Sequence, residues 1–168
     1  DLSLQANEVD AGGAKVNGAT IALKARGPAS VLTGRLDEAL VCNLVLRAPD
    51  VTLASPKLNV SQAAIDLDAT LLDFAANGAD AKLAVAIANA RYEDESIGVV
   101  SAPIALDLSA SRRAPQINVQ ALALKIADAI TLTLSGTAAQ RAKAWDVNLA
   151  LALKDVDIPK LLPLAPSK

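Results

Sequence analysis

Large aliphatic residues alternate with small or polar ones along most of this 168-residue chain. Asn43-Leu44-Val45-Leu46-Arg47 runs on to Val51-Thr52-Leu53, and Ala81-Lys82-Leu83-Ala84-Val85-Ala86-Ile87 keeps the same beat. Ile104, Leu106 and Leu108 follow, then Ile130-Thr131-Leu132-Thr133-Leu134 and Asn148-Leu149-Ala150-Leu151-Ala152-Leu153. A period of two puts every large aliphatic of a strand on one side of a sheet.

The pattern predicts strands at Leu2–Val9, Ala14–Arg26, Ser30–Thr33, Ala39–Arg47, Val51–Ala54 and Lys57–Asp68. It continues with Ala81–Arg91, Ile97–Ser101, Ile104–Ser109, Gln116–Ile126, Ile130–Ser135 and Trp145–Lys154. Turn chemistry separates them at Asp10-Ala11-Gly12-Gly13, Gly27-Pro28, Ala48-Pro49-Asp50, Ser55-Pro56, Asn77-Gly78-Ala79-Asp80, Ala102-Pro103 and Arg112-Arg113-Ala114-Pro115. Short turns between closely spaced strands predict an antiparallel up-and-down sheet, and no long amphipathic helix interrupts it. Two strands change phase midway. Leu58 and Val60 give way to Ala63, Ile65 and Leu67 across Gln62, and Ile117 and Val119 give way to Leu122 and Leu124. A slip of this kind marks a bulge or bend, and bends curl a sheet. Ala138–Ala144 reads as a helical turn or a polar hairpin tip. Residues 155–168 read as a short helical or irregular tail, with Asp157 as cap and Pro159 in the first turn.

One side of this sheet is all aliphatic. Its candidate residues are Leu44, Leu46, Leu53, Leu83, Val85, Ile87, Ile104, Leu106, Leu108, Ile130, Leu132, Leu134, Leu149, Leu151 and Leu153. Burying one Leu or Ile side chain contributes about 1.5–3 kcal/mol, so such a side must be covered. Too few helical residues exist to do it. The choices are a closed β-sandwich, which periodicity alone favours, a barrel, or an elongated, curved antiparallel sheet whose groove holds something apolar.

Composition bears on that choice. Hydrophobic residues make up 52% of the chain but aromatics only 2%, and about a fifth of the residues are alanine. A trough of branched aliphatics with one Phe (Phe74), one Tyr (Tyr92) and one Trp (Trp145) to plug it suits acyl chains. There is no methionine, so the chain is expected to be a single all-β segment, 1–168, excised from a longer protein. The net charge of −2 offers no basic footprint for nucleic acid, and no apolar run nears the roughly 18 residues that span a bilayer.

Conventional chemistry is scarce. The chain lacks histidine, which removes the commonest general base and metal ligand, and a Ser-His-Asp triad with it. Cys42 stands alone inside a strand. Glu93-Asp94-Glu95 lacks the spaced ligands of a calcium loop, and Arg112-Arg113 reads as a charged loop before a phosphate site. No phosphate-binding glycine loop occurs. The expectation is a protein that is not an enzyme and that uses no cofactor and no metal.

The carboxyl end, Trp145-Asp146-Val147-Asn148-Leu149-Ala150-Leu151-Ala152-Leu153-Lys154-Asp155-Val156-Asp157-Ile158-Pro159-Lys160-Leu161-Leu162-Pro163-Leu164, resembles the strand-then-short-helix segment of the AsmA-like superfamily of bacterial envelope proteins (the AsmA, TamB and YdbH type). Gly34-Arg35-Leu36-Asp37, followed by Leu44 to Leu53, is similar to their strand pairs. The resemblance implies a β-taco-like rod in the periplasm of a Gram-negative bacterium, anchored in the inner membrane through regions outside this chain. It implies phospholipid or another acyl-chain lipid as cargo between inner and outer membranes, and neighbouring segments of the parent protein as partners. It moves the groove ahead of the sandwich. Two other functions stay open: a scaffold for outer-membrane protein assembly by β-augmentation, and a structural β-rod or adhesin domain with a closed core.

Overall fold

The computed structural model describes residues 1–28, 39–73, 78–94, 98–141 and 144–161. They form one nine-stranded antiparallel sheet in simple meander order. The strands are β1 (Leu2–Ala11), β2 (Ala14–Arg26), β3 (Leu40–Leu53), β4 (Lys57–Asp73), β5 (Gly78–Asp94), β6 (Gly98–Arg113), β7 (Gln116–Ile126), β8 (Ile130–Arg141) and β9 (Ala144–Lys154). One short helix, α1 (Ile158–Leu161), follows. The Lys160 amide donates to the Asp157 carboxylate at 3.3 Å, so Asp157 caps α1 as expected. The sheet is open: β1 and β9 stand at its two edges and do not pair with each other. The fold is therefore all-β and unclosed, and a sandwich is not what these residues build.

Fewer and longer strands form than the turn chemistry predicted. Ala48-Pro49-Asp50 and Ala102-Pro103 lie inside β3 and β6, Gly78-Ala79-Asp80 opens β5, and Ala138–Arg141 extends β8 with no helical turn, the hairpin to β9 closing on the Arg141–Ala144 pair. The strand expected at Ser30–Thr33 and the Gly34–Asp37 segment lie outside the described residues. So do Phe74, Asn77, Glu95, Ile97, Ala142, Lys143 and Leu162–Leu164.

The two internal prolines have a physical home. Pro49 lies between the register pairs Asp50–Asn17 and Arg47–Thr20 on one side, and Asp50–Ser61 and Ala48–Ala63 on the other. The residues facing it are Gly18 and Gln62, and both have left-handed backbones, at φ 65° and 53°. Pro103 lies between Ala102–Ala90 and Ile104–Ile87, where the register of β5 shifts. Proline cannot donate to a ladder and is tolerated where the ladder is already irregular. These positions line up across β2 to β6 as a crease. A bulge or a left-handed residue swaps the face that later side chains take. The sequence swaps its phase at the same place. In β5 the less exposed positions run Leu83, Val85, Ile87 and then Ala90, Tyr92. The large side chains of β5 thus stay on one side through the bend, and the slip read at Gln62 is its signature in β4. The second slip, between Val119 and Leu122, falls on the register shift of β7 against β8.

Gly136 sits in β8 beside that shift, at φ 147°. A Cβ there would strike the Asn148 carbonyl oxygen and come within 2.9 Å of the Leu149 Cα. Changing Gly136→Ala is expected to destabilise the fold by about 2 kcal/mol and to loosen β9 first. Urea unfolding with hydrogen exchange of the β9 amides measures both, and an unchanged midpoint contradicts the close approach.

Candidate functional site

Antiparallel register converts nine separate alternations into rows that cross the whole sheet. Leu2 pairs with Leu23, Leu23 with Leu44, Leu44 with Leu67, Leu67 with Leu83, Leu83 with Leu108, Leu108 with Leu122, Leu122 with Leu134, and Leu134 with Leu151. Every strand gives one leucine to this row. The adjacent row, two residues along, is Leu4, Ile21, Leu46, Ile65, Val85, Leu106, Leu124, Leu132 and Leu153. A third runs Ala48, Ala63, Ile87, Ile104, Ile126 and Ile130, along the crease. With neighbouring strands about 4.8 Å apart, a nine-strand row is about 38 Å long.

Of the residues expected on this face, most of those between Leu44 and Leu153 fall in these three rows. Leu149 is beside them, facing Gly136. Leu53 does not join them. It pairs with Leu58 and Ala14 beyond the crease, in a separate line that passes through Tyr92 and Val100. Sequence reasoning overlooked Leu2, Leu4, Ile21, Leu23, Ile65, Leu67, Leu122, Leu124 and Ile126. Their alternation was visible, but only the register shows that they complete the same rows.

Nothing in the described chain covers the rows. The buried residues are small: Ala48, Ala102, Ala129 and Gly78, and no large side chain is fully buried. The accessible surface is 11079 Å², against about 7,800 Å² for a compact monomer of this mass. Within the leucine row, residues on inner strands are shielded by their cross-strand neighbours. At the edges, Leu2 is 54% exposed and Leu151 64%. The shielding is lateral, from leucine to leucine, and the top of each side chain stays open.

The two faces differ sharply in charge. Arg47 donates to both oxygens of Asp66 at 2.8 and 3.0 Å, and Arg113 to both oxygens of Asp80 at 3.0 Å. Arg141 meets Asp146 at 2.7 Å, Lys15 meets Glu8 at 3.1 Å, and Asn43 donates to Asp68 at 2.7 Å. By strand alternation all of these stand opposite the leucines, among alanines such as Ala84, Ala86, Ala105 and Ala123. Exposed pairs like these contribute little stability, but they mark which side faces water. Shallow cavities on that polar side, one lined by Thr70, Asp80, Lys82, Ser111 and Arg113, are gaps between ion-paired side chains. Glu93 lies 3.8 Å from Arg91 and 4.0 Å from Lys57, and Asp94 accepts from the Tyr92 hydroxyl at 3.3 Å. Among the described residues no His, Cys, Asp and Glu side chains gather into a metal-holding group, and no helix is long and apolar enough to cross a membrane. Comparison with known proteins finds no family model, no curated protein and no solved structure that matches this chain.

Two expected outcomes follow from the geometry. A leucine in a closed core leaves a cavity when truncated and costs about 2–5 kcal/mol. Leu83 lies on an uncovered face, so Leu83→Ala is expected to cost about 1 kcal/mol in urea unfolding. A loss above about 3 kcal/mol would mean a sealed core. On the opposite face, hydrogen bonds from Arg113 hold the Asp80 carboxyl below its ordinary value of 3.8. A depressed folded value gives stability that is complete above 3.8 and drains away as acid carries the pH below it. Replacing Arg113→Ala should move the Asp80 titration up toward 3.8, as followed by carboxyl NMR.

Proposed function

We propose that this chain is a lipid-carrying segment, in which the leucine rows hold acyl chains and the charged side faces water. The observation that carries the reading is the unbroken row of nine leucines, one per strand, with no protein atoms over it among the described residues. Its length of about 38 Å, set by strand spacing, exceeds that of a single extended acyl chain, so a chain finds equivalent neighbours at each step. A surface with the same hydrocarbon at every step has no deep minimum along the row. Lipid moves along it passively, and the head group stays at the margin where the rows end.

The scarcity of aromatics supports this reading. A protein that closed over the face would need bulk to fill the centre, and Phe, Tyr and Trp together make up 2% of the chain. The resemblance to the AsmA-like superfamily points the same way, with the periplasm of a Gram-negative bacterium as the setting and phospholipid as the cargo. In that setting, neighbouring segments of the parent protein are its partners. No catalytic group is required.

The test is mass spectrometry of organic extracts from the purified protein and from three variants. Leu106 and Leu132 flank Leu124 in the second row. Leu106→Arg and Leu132→Arg put a charge in the lane and are expected to cut bound lipid several-fold, since a charge against hydrocarbon costs several kcal/mol. Ala123→Arg adds the same charge on the polar side, opposite Asp107, and should leave occupancy unchanged. No lipid in the parent extract, or full occupancy in both lane variants, refutes the reading.

A further inference from the structure

The edge strand β9 is the most exposed element of the sheet, with all of its residues open to solvent. Trp145, Val147, Leu149, Leu151 and Leu153 line one side of it, between 48% and 64% exposed, with no charge among them. A long, apolar edge that carries no inward charge is a template for another strand. Residues 155–161, which follow β9, do not block it. The Asp157 amide donates to the Ala129 carbonyl at 2.8 Å, and the Lys160 ammonium reaches the Asp128 carbonyl at 3.4 Å. Both contacts lie at the β7–β8 turn, so residues 155–161 turn back toward the end of the sheet, and among the described residues the outer edge of β9 is uncovered.

We infer that this edge pairs antiparallel with β9 of a second copy of the chain, about a two-fold axis through Ala150. The sequence of β9 reads as its own complement about that residue. Asp146 and Lys154 lie four positions to either side of Ala150 on the polar face, so each Asp146 stands opposite the partner's Lys154, twice by symmetry. On the aliphatic face Leu149 meets the partner's Leu151, and Val147 meets the partner's Leu153. Registers shifted by one step of the face, centred on Leu149 or on Leu151, keep aliphatics together but set Asp146 opposite Ala152 or beyond the strand. Only the Ala150 register satisfies both faces. Asp146 already accepts from Arg141 at 2.7 Å, and Lys154 has no ion pair among the described residues. The pairing supplies one. The two sheets become a single sheet of doubled width with one aliphatic side, whatever covers that side.

Sedimentation equilibrium of the 168-residue chain, with its charge variants, tests the inference. A dimer is expected. Lys154→Asp sets like charges opposite at two places and should raise the dissociation constant about tenfold, while adding Asp146→Lys to it should restore the parent value. The register is read independently, in a Cys42→Ala background, by oxidation. Ala150→Cys lies opposite its own symmetry mate, within disulfide reach, and should cross-link; Asn148→Cys is held about 14 Å from its mate and should not. A monomer at all concentrations overturns the proposal, as does a dimer indifferent to the charge change, which means association through the leucine face. Cross-linking at Asn148→Cys in place of Ala150→Cys also overturns it.

Discussion

Register is the constraint on which everything else in this protein depends. In an antiparallel meander each turn fixes how the next strand lies against the last, and a one-residue error would move every leucine of that strand to the wrong face. Nine strands keep step, so a residue type repeated once per strand becomes a row of side chains in contact. The crease shows how strictly this is kept. Gly18, Pro49, Gln62 and Pro103 disturb five neighbouring ladders along one line, and the hydrophobic phase shifts with them so that the lines of aliphatics on either side of the crease share one face.

The energetic consequence is a sheet held together sideways rather than by a core. Backbone ladders and leucine-to-leucine contacts between adjacent strands supply the cohesion, as cross-strand pairs do in any sheet. The described residues form no second layer of the kind that normally takes such a face out of water. An aliphatic face of this size is stable only when something apolar lies on it, and a flexible hydrocarbon chain fits an evenly lined lane better than a rigid, shape-specific partner. The opposite face, with small alanines between ion pairs, solubilises the sheet without adding bulk. On the proposed reading the two faces are complementary: the polar side keeps the sheet in water while the aliphatic side stays available.

Much of this was legible strand by strand. Alternation located β2 and β7 with their observed ends, and the change of phase at Gln62 marked a bulge or bend, where the structure has a left-handed backbone. The failures have physical causes. Proline was read as a strand end at Pro49 and Pro103, because a lone sequence does not show that the facing strands are irregular at the same level. Gly78-Ala79-Asp80 carries turn residues, yet Asp80 is held in strand geometry opposite Ser111, with Arg113 bound to its carboxylate. Leu53 was read in a separate strand but on the same apolar side as Leu44 and Leu46; all three lie in β3, and the crease between them assigns Leu53 to a different line. The rows themselves were out of reach, since they run perpendicular to the chain and exist only once the register is known.

The central claim is that the leucine rows, and not the alanine face behind them, are the surface that hydrocarbon touches. Photolabelling with a phospholipid that carries a diazirine midway along its acyl chain tests it most directly, with modified residues located by mass spectrometry. The account predicts adducts on Leu83, Leu108, Leu122 and their row neighbours, and none on Ala84, Asp107 or Ala123. Adducts spread evenly over both faces, or absent from the rows at saturating lipid, would contradict it.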